Sequence, residues 1–377
     1  MSTNSDGYSS ALFKTWEKCG LRIDQTPSKS SLSEYRKKVN WRFFKDHFRE
    51  AFQAFDRKTF RGFYVYAIDG DIWNLPASED ILNNKFRGAR FPNNKETHYP
   101  KMYTVSAVDV VNGILRDFRF HQGQCEVLFA REMIKKFEKN SLTIYDRLHG
   151  TYASMKNHED AGNYFLIRAR VGGDTTQSQL REFRDSNAKS KTIIFRPPRG
   201  SGKEFTPVRI RLIKTKNPRT KEILIFMTNL PESSFKKKEI GQLYLRRWDI
   251  ETTFKDLSHT LKMGQWHSQS LNGILQEIYA LFWFYNAAQA QCLGVVKRAD
   301  DWLGKIYEKT NLKLCAKFFI DHVEMLLNGQ VREFHECLHL ILKRVAERRV
   351  RLRRSYPRAV RGHGATYANV GIIDRRT

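Results

Sequence analysis

The sequence predicts an α/β fold: a mixed sheet flanked by helices, with a β-rich insertion between Asp146 and Glu251. Three observations predict it. Two apolar runs, "MYTVSAVDVV" and "ILRDFRF", are joined by Asn112-Gly113, the strongest short-range hairpin signal. The hydrophobic period switches from helical to strand-like near residue 60 and back to helical after the hairpin. From about Thr175 to Leu230 the composition changes: Arg181 to Lys221 holds 13 Lys or Arg against three acids, with Pro197, Pro198, Gly200 and Gly202 in the middle.

Taken in order, residues 1 to about 60 read as a small helical, basic lobe. In "SLSEYRKKVNWRFFKDHFREAF" Ser31 is a candidate N-cap with Glu34 three residues on, and Val39, Phe43, Phe44 and Phe48 recur near helical spacing. "FYVYAID", Phe63 to Asp69, is a β-rich run that Gly70 is expected to end beside a carboxylate. The hairpin follows. "CEVLFAREMIKKFEK" then carries Val127, Leu128, Ala130, Met133, Ile134 and Phe137 on helical spacing, and "SLTIYD" is a short strand ending on Asp146. "NYFLIRARV" adds one more strand, giving the order β-β-β-α-β-(α)-β.

Within the cationic block, "PVRIRLI" alternates Val208, Ile210 and Leu212 with Arg209 and Arg211, as a strand with one basic face does. Asn217-Pro218 turns into "EILIFMT". The chain is then expected to be helical from "SSFKKKEI" to about Lys262 and again from Ile274 to about Val296. The tail from Lys343 holds 11 Lys or Arg against two acids, and Pro357 in "RSYPRAV" ends any helix there.

The 377 residues carry a formal charge of +26, which favours a polyanionic partner, nucleic acid foremost. Five cysteines with no C-x-x-C spacing read as reduced, packed thiols rather than a zinc or redox site. "MSTNSDGYSS" lacks the pattern of a secretory signal. The run from Ile278 is broken by Asn286, Gln289 and Gln291, which suits a buried helix better than a membrane span. A soluble, cytoplasmic protein is expected.

The chemistry concentrates in "YLRRWDIETTFKDL", Tyr244 to Leu257. At about 100° per residue, Ile250, Phe254, Leu257 and Leu261 share one stripe, the core face. Tyr244, Arg247, Glu251, Lys255, Ser258 and Lys262 fall on a second stripe at its border. Alone, Arg247, Glu251 and Lys255 at i, i+4, i+8 fit a surface ion-pair ladder, about 0.3 to 0.5 kcal/mol per pair, as well as they fit a site. Asp69 and Asp146 favour the site, because in a β-β-β-α-β sheet the first and fourth strands can lie side by side. Carboxylates on rigid elements suit hard Mg²⁺. A cap or turn role remains the structural alternative for either Asp. His121, His149 and His267 read as structural or phosphate-facing, and Trp248 and Trp266 as core anchors.

These residues resemble the DDE transposases of bacterial insertion sequences, in particular the insertion-sequence-four group. Its hallmark is Tyr, two residues, Arg, three residues, Glu, six residues, Lys. Tyr244, Arg247 and Glu251 match in identity and spacing. So do "AIDGD" with Leu75-Pro76, "YDR" at Tyr145 to Arg147, "TNL" at Thr228 to Leu230, "WHSQS" followed by Glu277, and "RSYPR". The resemblance implies an RNase H-like core, residues 61–174 and 233–300, with a β-rich basic insertion at 175–232. A DNA-binding region at 1–60 and a helical, basic region at 301–377 flank it. It implies Asp69, Asp146 and Glu251 as ligands of two Mg²⁺ ions, with Mn²⁺ able to substitute, and cleavage of element ends followed by 3′-hydroxyl strand transfer. Tyr244, Arg247 and Arg147 become phosphate contacts. Double-stranded DNA, a homodimer or higher multimer on it, and a nucleoid-associated location are implied as well.

The chain departs from the group at two points. Ser258 stands where the group has Lys, so Lys255 and Lys262 are named as substitutes. Asp71 follows Asp69-Gly70 where a small residue is usual, which makes Asp71 a rival ligand if the strand continues through Gly70. The insertion lacks the base-stacking tryptophan of related hairpin-forming enzymes; Phe195 or Phe205 could stack instead, a reading the sequence does not favour. Two alternatives stay open: a transposase-derived DNA-binding protein without catalysis, and an RNase H-like nuclease that does not transpose.

Overall fold

Strand β1, Tyr64–Asn74, forms the axis of the molecule. The computed structural model describes residues 8–88, 99–123, 126–170, 178–196, 206–216, 222–293 and 312–346. Aromatic and β-branched residues pack well on a pleat, and along β1 they alternate faces. Val65 and Ala67 enter one core, while Tyr66 and Ile68 enter the other. Gly70 does not end the strand: β1 runs on to Asn74, because β2 (Lys101–Asp109) pairs with it antiparallel from Tyr66 to Asn74. Strand β3 (Ile114–His121) closes the expected hairpin through a loop in which Gly113 has φ 71°. Asn112 of that loop is buried, donating to Asp109 and to the carbonyl of Lys58.

After helix α5 (Glu126–Ile134), strand β4 (Ser141–Tyr145) lies parallel to β1, from Tyr64 opposite Ser141 to Ala67 opposite Ile144. The expected adjacency of first and fourth strands is therefore present. Helix α6 (Tyr152–Asp160) leads to β5 (Tyr164–Arg168), parallel to β4. The insertion is not wholly β: helix α7 (Ser178–Asp185) precedes β6 (Ser190–Phe195), β7 (Val208–Lys216) and β8 (Ile223–Thr228). Its strands join the core sheet, since β8 pairs antiparallel with β5 and gives one eight-stranded sheet, order β3-β2-β1-β4-β5-β8-β7-β6. The first five strands in that order, a mixed half-sheet with β1 at its centre, carry Asp69 on β1 and Asp146 just past the end of β4. On β7, Val208, Ile210 and Leu212 are buried while Arg209 is exposed, as the alternation predicts. Asn217-Pro218, Phe205 and the tail beyond residue 346 lie outside the described residues. Phe195 is buried, so its ring is not free to stack on a base.

The N-terminal lobe has helices α1 (Tyr8–Lys18), α2 (Lys29–Lys38) and α3 (Trp41–Ala54). The stretch from Ser31 to Phe52 is helical as expected, in two helices with a break at Val39-Asn40. Ser28, not Ser31, caps α2, and Val39 is extended so that the Asn40 side chain can cap α3. The reason is competition: a second good cap offers the backbone a new start. Helix α3 seats Phe48 and Phe52 against the sheet, each worth about 2 to 3 kcal/mol of burial.

Helices α4 (Glu79–Asn83), α8 (Lys237–Leu245), α9 (Trp248–Lys255), α10 (Leu271–Leu293), α11 (Leu312–Leu327) and α12 (Val331–Ala346) complete the description. Helix α10 lies on the core face shared with Val65 and Ala67, and Asn286, fully buried, pairs with both the N–H and the C=O of Leu115. That explains a polar residue in so apolar a helix. Among the described residues no helix is long and apolar enough to cross a membrane. Among the described residues Cys19 and Cys337 are free thiols.

Candidate active site

The alternation of β1 puts Asp69 on the face of Val65 and Ala67, against which Ile250 of α9 packs. Strand β4 stops opposite this part of β1. Continuing the register from Ala67 opposite Ile144 brings Asp69 level with Asp146, the first residue beyond β4. Asp146 also caps a short helical turn, accepting from the Leu148 N–H at 2.7 Å. Neighbouring strands are about 4.8 Å apart, so the two acids open at one end of the sheet.

Glu251 arrives from α9. The continuous helix expected from residue 237 to Lys262 is broken twice. Arg246 and Arg247 bond three residues back rather than four, tightening the junction of α8 with α9, and Asp256–Thr260 is a π-helical turn. Each break rotates the residues beyond it. Ile250 and Leu257 still reach the core, and Tyr244, Arg247 and Glu251 still share a border. Lys262 does not continue the stripe, because it lies past the π-turn at φ 58°. Lys255 is exposed on α9, and Arg147 is exposed beside Asp146. Ser258 is exposed and spends its hydroxyl on the Phe254 carbonyl at 2.8 Å.

Arg247 connects the acids. Its Nη1 donates to Asp69 Oδ2 at 3.0 Å and its Nη2 to Glu251 Oε1 at 2.9 Å. Burial pushes the Asp69 carboxyl up to about 6; Arg247 opposes the rise, and the charges of Glu126 and Asp146 add to it. Tyr244 is buried with its ring 4.7 Å from that of Phe226, and its hydroxyl is raised by burial against the pull of Arg247.

The strand does continue through Gly70, so Asp71 shares the face of Asp69. Its carboxylate is already engaged, accepting from the Ile72 N–H at 2.8 Å and from Trp73 Nε1 at 2.9 Å. Trp248 is 46% exposed, not a core anchor: its position at the tightened junction turns it outward, where its ring lies 5.1 Å from the Arg247 guanidinium. Trp266 is packed on the core and donates to the Asn74 carbonyl.

Two neighbours join the site without a signal in the sequence. Glu126, the first residue of α5, is hidden inside an apolar helical pattern, and Leu128 of that pattern is in fact exposed. Buried His149 bonds Glu126 Oε1 through Nε2 at 3.0 Å. Glu126, Asp146 and His149 present donor atoms all within 4.8 Å of one another. Spacing alone marks neither Glu126 nor His149. His121 bonds the Gly123 N–H, and His267 lies beside Glu277.

The family model described as Transposase DDE domain matches residues 61–287. The transposase InsG of insertion sequence element IS4, from Escherichia coli (strain K12), is 24% identical over 250 residues, 63% of this chain and 54% of that protein. The chain thus spans about half the length of the curated relative it matches. Among solved structures, a piggyBac transposase synaptic complex with hairpin DNA is similar, with TM-score 0.45 and 15% identity over 92% of this chain and 70% of that one.

Proposed function

This chain belongs to the transposase DDE domain family, and we propose that it is a DNA transposase that cuts the ends of an insertion sequence and joins the freed 3′-hydroxyls to target DNA. Asp69, Asp146 and Glu251 are the ligands of divalent metal in this reading, Mg²⁺ by preference with Mn²⁺ substituting, two ions in all. One observation carries it: acids from β1, from the end of β4 and from α9 converge at one end of the sheet, two of them on the same guanidinium.

The donors suit such a cation. All three are hard oxygen ligands on or directly at the end of regular elements, and Asp69 is half-buried near two other acids whose repulsion a cation relieves. Arg247 already supplies positive charge between Asp69 and Glu251. When bound, the metal supplies Lewis-acid stabilisation of the attacking and leaving oxygens of a phosphodiester.

The chain's own residues do the rest. Arg247 would offer its planar fork to a phosphate, with Tyr244 beside it. Exposed Lys255 and Arg147 hold flanking phosphates, with Lys262 further out. The +26 charge draws double-stranded DNA to the surface, and binding two element ends calls for a homodimer or larger multimer on the DNA, at the nucleoid.

Ser258 favours a second reading, DNA binding without cleavage, because its hydroxyl is turned back on its own helix. Incubating the chain with an element-end duplex and Mg²⁺ separates the two. Nicking that disappears in Asp69→Ala, Asp146→Ala and Glu251→Ala supports the transposase. Salt-dependent binding with no Mg²⁺-dependent nicking supports the binder, and full cleavage by all three variants removes the triad.

A further inference from the structure

We propose that Glu126 is a fourth carboxylate of the metal site, sharing an ion with Asp146, and that buried His149 is the residue that positions it. The inference rests on the reading of Asp69, Asp146 and Glu251 as metal ligands and adds a ligand to it.

The first observation is Gly70. Side chains on β1 alternate, so those of Asp69 and Asp71 lie on the α9 face and position 70 faces α5. A Cβ at Gly70 would sit 2.6 Å from Glu126 Oε2 and 3.1 Å from its Cδ. Neither φ nor the turn demands glycine here, since β1 is regular strand through this point. What glycine provides is room: the Glu126 carboxylate occupies the place of the missing side chain, near enough for its charge to act on Asp69 next along the strand.

The second is the grip on that carboxylate. His149 is 1% exposed, stacks on Tyr145 at 4.4 Å, and has its Nε2 3.0 Å from Glu126 Oε1. Its Nδ1 is buried without a hydrogen-bond partner. The Nε2–H tautomer therefore donates to Glu126 and leaves Nδ1 as the unprotonated atom. A histidine whose one satisfied nitrogen fixes a carboxylate is the arrangement that orients ligands around metals. Held by Oε1, Glu126 keeps Oε2 for the site. The third observation is reach: donor atoms of Glu126, Asp146 and His149 all lie within 4.8 Å of one another, so a side-chain shift of a few tenths of an ångström brings them within the ~4.2 Å that separates two opposed ligands at about 2.1 Å from one ion.

The test is Mn²⁺ binding by the full chain, read by titration calorimetry and by electron paramagnetic resonance of free Mn²⁺, without DNA. Glu126→Gln keeps the shape and is expected to weaken Mn²⁺ affinity by about 10-fold or more, as are Asp69→Asn and Asp146→Asn. His149→Asn removes the grip and costs about 10-fold. Gly70→Ala leaves every acid in place and inserts one methyl group at the Glu126 carboxylate; loss of affinity there, with metal-free Tm unchanged, reports the carboxylate's position and not the fold. Wild-type affinity in Glu126→Gln, beside loss in Asp69→Asn and Asp146→Asn, overturns the fourth ligand and leaves the triad standing. Wild-type affinity in all of them overturns both.

Discussion

Arg247 donates to Asp69 at 3.0 Å across 178 residues of chain, and it is one guanidinium, with its other arm on Glu251, that holds the β1 acid and the α9 acid together. Arg247 is itself nearly buried, so the pairing takes place where water screens little.

Removing Arg247 leaves two carboxylates facing each other. Arg247→Ala is expected to destabilise the metal-free chain by about 2 kcal/mol. Mn²⁺ should raise its Tm by more than it raises that of the wild type, because the ion no longer competes with the guanidinium. Arg247→Lys behaves like Arg247→Ala in the metal-free state, one ammonium being unable to serve both acids. Thermal melts with and without Mn²⁺ decide it, and an equal or smaller metal shift in Arg247→Ala defeats the competition.

Asp69 has a pH signature. Its carboxyl, ordinarily at 3.8, is pushed up to about 6 by burial, against Arg247 and with Glu126 and Asp146. A raised carboxylate binds its proton more tightly in the folded chain than in the unfolded one. Its contribution to stability is therefore full below about 3.8 and is lost as pH rises to about 6. Asp69→Asn should gain on the wild type over that window by on the order of 2 kcal/mol and stay parallel to it elsewhere. Buried Asp109 is also raised to about 6, and taking the difference between the two proteins cancels it. Urea denaturation at several pH values measures the gap.

Asp71 is expected to be structural. Asp71→Ala frees the Trp73 indole N–H and should cost about 1 kcal/mol, while Mn²⁺ affinity stays within about twofold of wild type. A larger loss of affinity would return Asp71 to the ligand set.

Asn286→Leu strands the N–H and the C=O of Leu115 under α10. Two buried backbone groups without partners should lower stability by about 2 to 4 kcal/mol, seen as a fall in the urea midpoint with an unchanged slope.

Exposed Lys255 and Arg147 should each carry a phosphate. Either alanine variant is expected to weaken DNA binding and to reduce the slope of log affinity against log salt by about 0.9. Unchanged slopes would place the phosphates elsewhere.

Much of the site is legible before any fold. The β-rich apolar run from Phe63 locates β1, Asn112-Gly113 locates the hairpin, and the spacing of Tyr244, Arg247 and Glu251 survives in a shared border and an ion pair. The failures have physical causes. Gly70 reads as a terminator because glycine's freedom usually ends a strand, whereas nine paired positions with β2 carry β1 across it. Lys262 falls on a helical stripe that a π-turn interrupts, and no residue type announces a π-turn.

By itself the sequence determined what each segment can do locally: where the hairpin turns, which residues of β7 alternate, that Asp146 stands at a strand end, and how strongly the whole is charged. Tertiary structure alone decided that Arg247 reaches Asp69, that Glu126 fills the space left by Gly70 under the hold of His149, and that β8 docks on β5 and merges the insertion with the core sheet. Periodicity encodes the face a residue takes on its own element. Which faces meet depends on the packing of elements far apart in the chain, and that information is held in the contacts and not in the spacing.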